Sequence, residues 1–155
     1  EVLGHASATV AQRKVADRSR ALELVLLNCL RDADLTPEKI GHINAHGLGS
    51  VSCDREEAQA IARVFGDRAK TLPVVAPKSA FGNLGAGSGL VELIASVMAF
   101  RAGNLFPIQN LEHPDPECPL HGVRSNDVPA GDTAINLSVT PQGQASGMLI
   151  GAFRG

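Results

Sequence analysis

From Val74 the sequence runs Val-Val-Ala-Pro-Lys-Ser-Ala-Phe-Gly-Asn-Leu-Gly-Ala-Gly-Ser-Gly to Gly89, and the apolar segment Leu90 to Phe100 follows at once. A short β-branched run, then a proline, a lysine, a serine and a glycine-dense turn before an apolar stretch predicts a strand, a loop and a buried helix. Gly82, Gly85, Gly87 and Gly89 would let the backbone come close to a ligand or a second helix where any side chain would clash. The loop is therefore a candidate site, in a domain that must contain strand-loop-helix units.

The remaining segments fit that frame. Val2 to Val10 is small, apolar and partly β-branched and predicts a strand that loosens into a polar loop, Ala11 to Asp17. Leu22, Val25, Leu26, Cys29 and Leu30 recur at helical spacing and predict an amphipathic helix from Arg18 to about Ala33. Thr36-Pro37 opens one further turn, with Thr36 as cap and Pro37 at its first position. A strand at His42 to Ala45 stops at His46-Gly47, and Asp54 is expected to cap a helix from Arg55 to Phe65. Val74 to Ala76 is the third strand and Leu90 to Arg101 the third long helix. Pro107 to Pro129 holds five of the nine prolines and predicts a long irregular connection. Ala134 to Val139 and Met148 to Phe153 predict two strands joined as a hairpin through Thr140-Pro-Gln-Gly-Gln. Strands alternating with helices before a terminal hairpin give an α/β domain with a mixed sheet. In such sheets sites gather at the carboxyl ends of strands, which places His46 and the Lys78 to Gly89 loop in a shared cleft.

Composition narrows the function classes. The 155 residues suit one domain over residues 1–155. A formal net charge of -2 offers no basic field for nucleic acid. Three cysteines without CxxC spacing suggest neither a disulfide framework nor a zinc ribbon, so a reducing cytoplasm is the expected location. No apolar run approaches the ~20 residues of a membrane span, and no basic-then-apolar leader opens the chain. With aromatic content of only 3%, the core must be built from Leu, Val, Ile and Ala. The first residue is Glu1 and a strand begins immediately, which suggests a piece of a longer polypeptide.

Several side chains invite chemical readings. His46, at a strand tip beside Gly47, can donate to a developing oxyanion or accept a proton near pH 7; periodicity alone favours a histidine that satisfies its own strand-end backbone. Lys78, fixed by Pro77, is either a partly desolvated cation or a surface lysine. Glu57, in the first turns of the helix after His46, is a candidate partner for Lys78. A Walker loop needs Gly-Lys-Ser/Thr at its end, whereas Lys78-Ser79 precedes the glycines here, and a dinucleotide fingerprint needs its third glycine one place beyond Gly89. Neither nucleotide pattern is met. His42 and His46 share a strand face but stand too far apart for easy metal sharing, and His113, Cys118 and His121 sit in a proline-rich stretch better read as an ordered loop. No metal or cofactor is expected.

Ile43-Asn44-Ala45-His46-Gly47, then Asp54 and Glu57, then Lys78-Ser79 with Gly82 to Gly89, and then Pro107-Ile-Gln-Asn-Leu-Glu-His-Pro-Asp-Pro-Glu-Cys118 resemble the C-terminal half of elongating β-ketoacyl-[acyl-carrier-protein] synthases. The resemblance covers nearly the whole chain, and the ordered set of motifs is far more specific than any one of them. It implies a thiolase-like half-domain, an acyltransferase activity of decarboxylative Claisen type in fatty-acid or polyketide synthesis, and a homodimer or heterodimer. It implies acyl carrier protein as partner, with the thioester on its phosphopantetheine as substrate. The nucleophilic cysteine of such enzymes lies in the N-terminal half, and none of the three cysteines here matches it, so this chain alone is expected to be inactive. By resemblance, His46 is the first catalytic histidine, Lys78 the active-site lysine and Glu57 its ion-pair partner. Asn83 stands where the family has its second histidine; its amide can donate a hydrogen bond but cannot take up a proton. Gly47-Leu-Gly-Ser50 replaces a hydroxyl-bearing run, and Ser138 to Met148 lacks the family's gating phenylalanine and keeps only Gly143 and Gly147 of its glycines. These departures leave a second reading, a non-condensing homologue acting as a chain-length-factor-like or dimerisation partner.

Overall fold

The structure is a computed structural model that describes residues 1–10 and 16–153. Most of the polar loop expected over Ala11 to Asp17 lies outside the described residues. Six strands form one mixed sheet in the order β1-β6-β5-β2-β3-β4. β6 (Gln144–Gly151) pairs antiparallel with both β1 (Val2–Thr9) and β5 (Thr133–Val139), whereas β2 (His42–Asn44), β3 (Pro73–Val75) and β4 (His121–Gly122) continue from β5 in parallel.

Helix α1 (Ala16–Asp32) lies on one face, and its expected stripe of Leu22, Val25, Leu26, Cys29 and Leu30 is buried. It approaches the sheet so closely that a Cβ on Gly147 would come 2.6 Å from Val25 Cγ1, and one on Gly4 2.7 Å from the Cys29 carbonyl oxygen. Glycine on β1 and β6 is what admits the helix. Helix α2 (Val51–Phe65) packs beside α1 on the same face, and Ile43, Ile61, Leu72, Ile135, Leu137 and Leu149 complete the main core. The large residues are aliphatic, as the low aromatic content requires.

Three boundaries differ from expectation. α2 starts at Val51 with Ser50 in the extended cap position, and Asp54 lies inside the first turn, where its carboxylate accepts the Leu48 N–H at 3.1 Å. The backbone of Gly47 and Gly49, at φ 48° and 76°, turns the chain into the helix one turn early. β6 begins at Gln144, because Thr140 and Gln144 close the hairpin around Gly143 (φ 86°). Within the irregular Pro107 to Pro129 connection, His121 and Gly122 add the short edge strand β4 to β3.

On the second face lies α4 (Ser88–Ala102), entered through the short helix α3 (Lys78–Phe81) and a 3-10 turn at Gly85–Gly87. The glycine loop was expected to pack closely. A Cβ on Gly82, Gly85, Gly87 or Gly89 would instead meet nothing within 4 Å. Gly82 and Gly85 are explained by φ of 78° and 61°, a backbone that L side chains rarely adopt. α4 was also expected to be a buried apolar helix, and it is turned the other way: Ser88, Glu92, Ser96 and Ala99 face the protein, while Leu90, Ile94, Val97 and Met98 are exposed. The stretch Gly85–Ala102, 18 residues at mean hydropathy 1.2, is long and apolar enough by composition to cross a membrane. A carboxylate ion-paired near its middle argues for a protein-facing helix.

Candidate functional site

Strand β2 sets the site by its period of two. Ile43 and Ala45 point into the main core, and His42, Asn44 and His46 point to the face that carries α4. His42 Nδ1 meets the Ala130 carbonyl at 2.8 Å and so carries the proton; Nε2, 3.1 Å from Ser96 Oγ, is then the acceptor. Asn44 Nδ2 donates to Ser96 Oγ at 3.1 Å and to the Glu92 carbonyl at 2.7 Å. The chain Asn44, Ser96, His42 thus clamps α4 to β2 with one tautomer. Burial pushes the His42 ring down to about 4, so it stays neutral. Its contacts are structural and it shares nothing with His46.

His46 sits at the strand tip with 9% of its surface exposed. Lys78 Nζ, delivered by α3, donates to the His46 carbonyl at 2.6 Å and lies 3.3 Å from His46 Nδ1. An ammonium has only protons to offer, so Nδ1 is the acceptor and Nε2 carries the ring proton. Burial, and then the Lys78 charge, push this imidazole down to about 4. At neutral pH His46 is a neutral ring whose remaining function is an Nε2–H donor.

Lys78 is buried against the side chain of Glu92, an ion pair with both members almost fully enclosed. This corrects the expectation that Glu57 is the lysine's partner. Glu57 spends its two oxygens on the backbone: Oε1 accepts the His46 N–H at 2.7 Å and Oε2 the Gly47 N–H at 3.0 Å. Burial pushes the Glu57 carboxyl up to about 7 and these two N–H groups pull against it. Glu57 shapes the His46-Gly47 turn, where φ is 48° at Gly47 and a Cβ would lie 2.7 Å from Ala76 Cβ. Glu92, which sequence reasoning missed, is the only charged residue between Phe81 and Arg101. A lone carboxylate inside an apolar helix was the available signal.

Asn83 hydrogen-bonds none of these three residues. It lies on the wall of a cleft of about 550 Å³ bordered also by Gly47, Leu48, Glu57, Lys78, Ser79 and the Ile108 to Arg124 connection; His46, expected to share this cleft, is not among the residues that line it. Its Oδ1 accepts the Gly85 N–H at 3.0 Å and the Ser88 hydroxyl at 3.1 Å. The structure therefore brings His46, Lys78 and Glu57 together and leaves Asn83 beside them. Among the described residues no cluster of three or more His, Cys, Asp or Glu is arranged for a metal ion, and Cys118 and His121 line the cleft separately.

The mixed sheet with helices on both faces, carrying a strand-tip histidine braced by a buried lysine, is a thiolase-like fold, shared with solved ketosynthases. The family model described as beta-ketoacyl synthase, C-terminal domain, matches residues 1–112. The chain belongs to that family. It is 46% identical over 99 residues to Nodulation protein E of Rhizobium leguminosarum bv. trifolii, covering 63% of this chain and 24% of that protein. To 3-oxoacyl-[acyl-carrier-protein] synthase 2 of Coxiella burnetii it is 43% identical over 93 residues, covering 60% and 22%. The chain thus matches about a quarter of the length of these relatives. Among solved structures, an ishigamide ketosynthase/chain length factor superposes with a TM-score of 0.91 at 28% identity, over 99% of this chain and 38% of that one. A ketosynthase from a type II polyketide system, solved with its acyl-carrier protein, gives 0.90 at 27%, over 99% and 38%.

Proposed function

We propose that the full-length protein is a β-ketoacyl-acyl-carrier-protein synthase in which this chain is the C-terminal half, the half that stabilises charge on a malonyl thioester. The observation that supports this most is His46: neutral, tautomerically fixed by Lys78, and holding one N–H donor at a strand tip. In decarboxylation the bond between the malonyl carboxylate and the methylene carbon breaks, carbon dioxide leaves, and the electron pair moves toward the thioester oxygen as an enolate. A preorganised donor at that oxygen lowers the barrier, because it meets charge that exists only after the substrate begins to react. His46 Nε2–H and Asn83 Nδ2–H are the two donors assigned to it. Lys78 keeps His46 in its donor tautomer, Glu92 neutralises Lys78, and Glu57 fixes the turn. The condensation nucleophile is a cysteine of an N-terminal half, the substrate rides on acyl carrier protein, and the whole works as a dimer in the cytoplasm.

Release of carbon dioxide from malonyl carrier protein by the full-length protein tests this reading. Turnover that falls about 100-fold or more in His46→Ala is expected, the scale for loss of one oxyanion donor. No release with or without an acyl primer would remove the condensing reading and leave a tunnel-shaping partner of an active synthase. Asn83 favours that second reading to this extent: its carbonyl is already engaged and it has no atom that can take up a proton.

A further inference from the structure

We propose that Ser88 is a positioning residue that locks the Asn83 side chain as a pure hydrogen-bond donor toward the cleft. The inference rests on the reading above, in which Asn83 faces the thioester oxygen.

An exposed asparagine ordinarily rotates about its last torsion and presents oxygen or nitrogen to whatever is near. Asn83 is exposed, yet its orientation is dictated chemically. The Gly85 backbone N–H, 3.0 Å away, can only donate, so the atom facing it is the carbonyl oxygen. Ser88 Oγ accepts the Leu84 N–H at 2.8 Å, which leaves its single proton to be donated to Asn83 Oδ1 at 3.1 Å. Both lone pairs of the carbonyl are then occupied, and among the described residues Nδ2 has no partner. Ser88 is itself fixed, 3% exposed on the first turn of α4, so the hydroxyl is not free to swing away. Because Asn83 lines the cleft, what it offers there is two N–H bonds and no lone pair. An amide free to flip would spend part of its time with oxygen toward the developing oxyanion, which repels it.

A cycle of variants in the full-length protein tests this. Ser88→Ala is expected to lower kcat for carbon dioxide release roughly 3- to 10-fold with KM within about twofold, the size of one hydrogen bond lost only as charge develops. In an Asn83→Ala background the same change is expected to have no further effect. Equal losses from Ser88→Ala in both backgrounds, or a lowered kcat in Asn83→Ala with Ser88→Ala unchanged, would overturn the positioning role and leave the thioester reading standing. An Asn83→Ala protein with unaltered turnover would overturn the reading of Asn83 itself. If the protein releases no carbon dioxide, the same cycle is read on the Kd of malonyl-pantetheine, where additive losses again count against the proposal.

Discussion

Glu92 is an enclosed carboxylate that answers the enclosed ammonium of Lys78. Its carboxyl is pushed up by burial and held down by the Lys78 ammonium, and one of its oxygens, Oε2, has no hydrogen-bond partner. A pair this enclosed contributes little net stability, but removing one member strands the other. Glu92→Ala is therefore expected to destabilise the protein by about 3–5 kcal/mol, whereas joint replacement by Lys78→Met and Glu92→Leu costs much less. Chemical denaturation of the three proteins checks this; a Glu92→Ala midpoint within ~1 kcal/mol of the parent would mean that Lys78 finds water or a second acceptor. Glu57 was the natural partner to name from sequence, since both it and Lys78 follow strand tips. That assignment failed because a helix residue's reach depends on which way its turn faces, and α2 starts one turn earlier than its capping pattern suggests. Glu57 consequently meets the His46 backbone, and Glu92, fourteen positions beyond Lys78 across a loop, meets the ammonium.

At the scale of elements, the helices and strands that obey one period were legible. α1 was readable from Leu22 to Leu30 because all five apolar positions are buried in the main core, and β2 because His42, Asn44 and His46 alternate with Ile43 and Ala45. The hairpin strands and the mixed sheet follow from the same patterning. α4 was legible as a helix but not in its orientation, since a segment apolar all round has no moment to say which face turns inward. The glycines divide on the same ground. Gly147 has Val25 Cγ1 2.6 Å from its would-be Cβ, so Gly147→Ala is expected to cost about 1–3 kcal/mol by forcing α1 off β6. Gly89, inside α4 with nothing within 4 Å, is expected to be neutral or to gain roughly 0.5–1 kcal/mol from Gly89→Ala in this isolated chain. Thermal denaturation of the two variants separates them. A comparable loss at both positions would mean that the close approach inferred from sequence exists at Gly89 after all.

Across the whole molecule, the two faces of the sheet are finished to different degrees. The α1/α2 face encloses an extensive core, while the α4 face holds a small cluster of Val75, Ala99, Leu105, Val123 and Ala130 and then ends in exposed Leu90, Ile94, Val97 and Met98. Leu90, Ile94, Val97 and Met98 fall at helical spacing on one side, and Leu84 extends the apolar surface beyond the helix start. A large exposed apolar patch on a protein surface is of the kind that serves as an interaction site. The polar stripe opposite, Ser88, Glu92 and Ser96, is bonded to His42, Asn44, Lys78 and Asn83, so α4 cannot roll over to hide its apolar side without breaking those bonds. The isolated chain is thus expected to associate at micromolar concentration, and Leu90→Gln with Met98→Gln to shift it toward monomer without unfolding it. Size-exclusion chromatography with light scattering reads both outcomes. A clean monomer of the parent chain at those concentrations would show that the stripe is tolerated in water, and would remove the physical case that the α4 face is built to be covered.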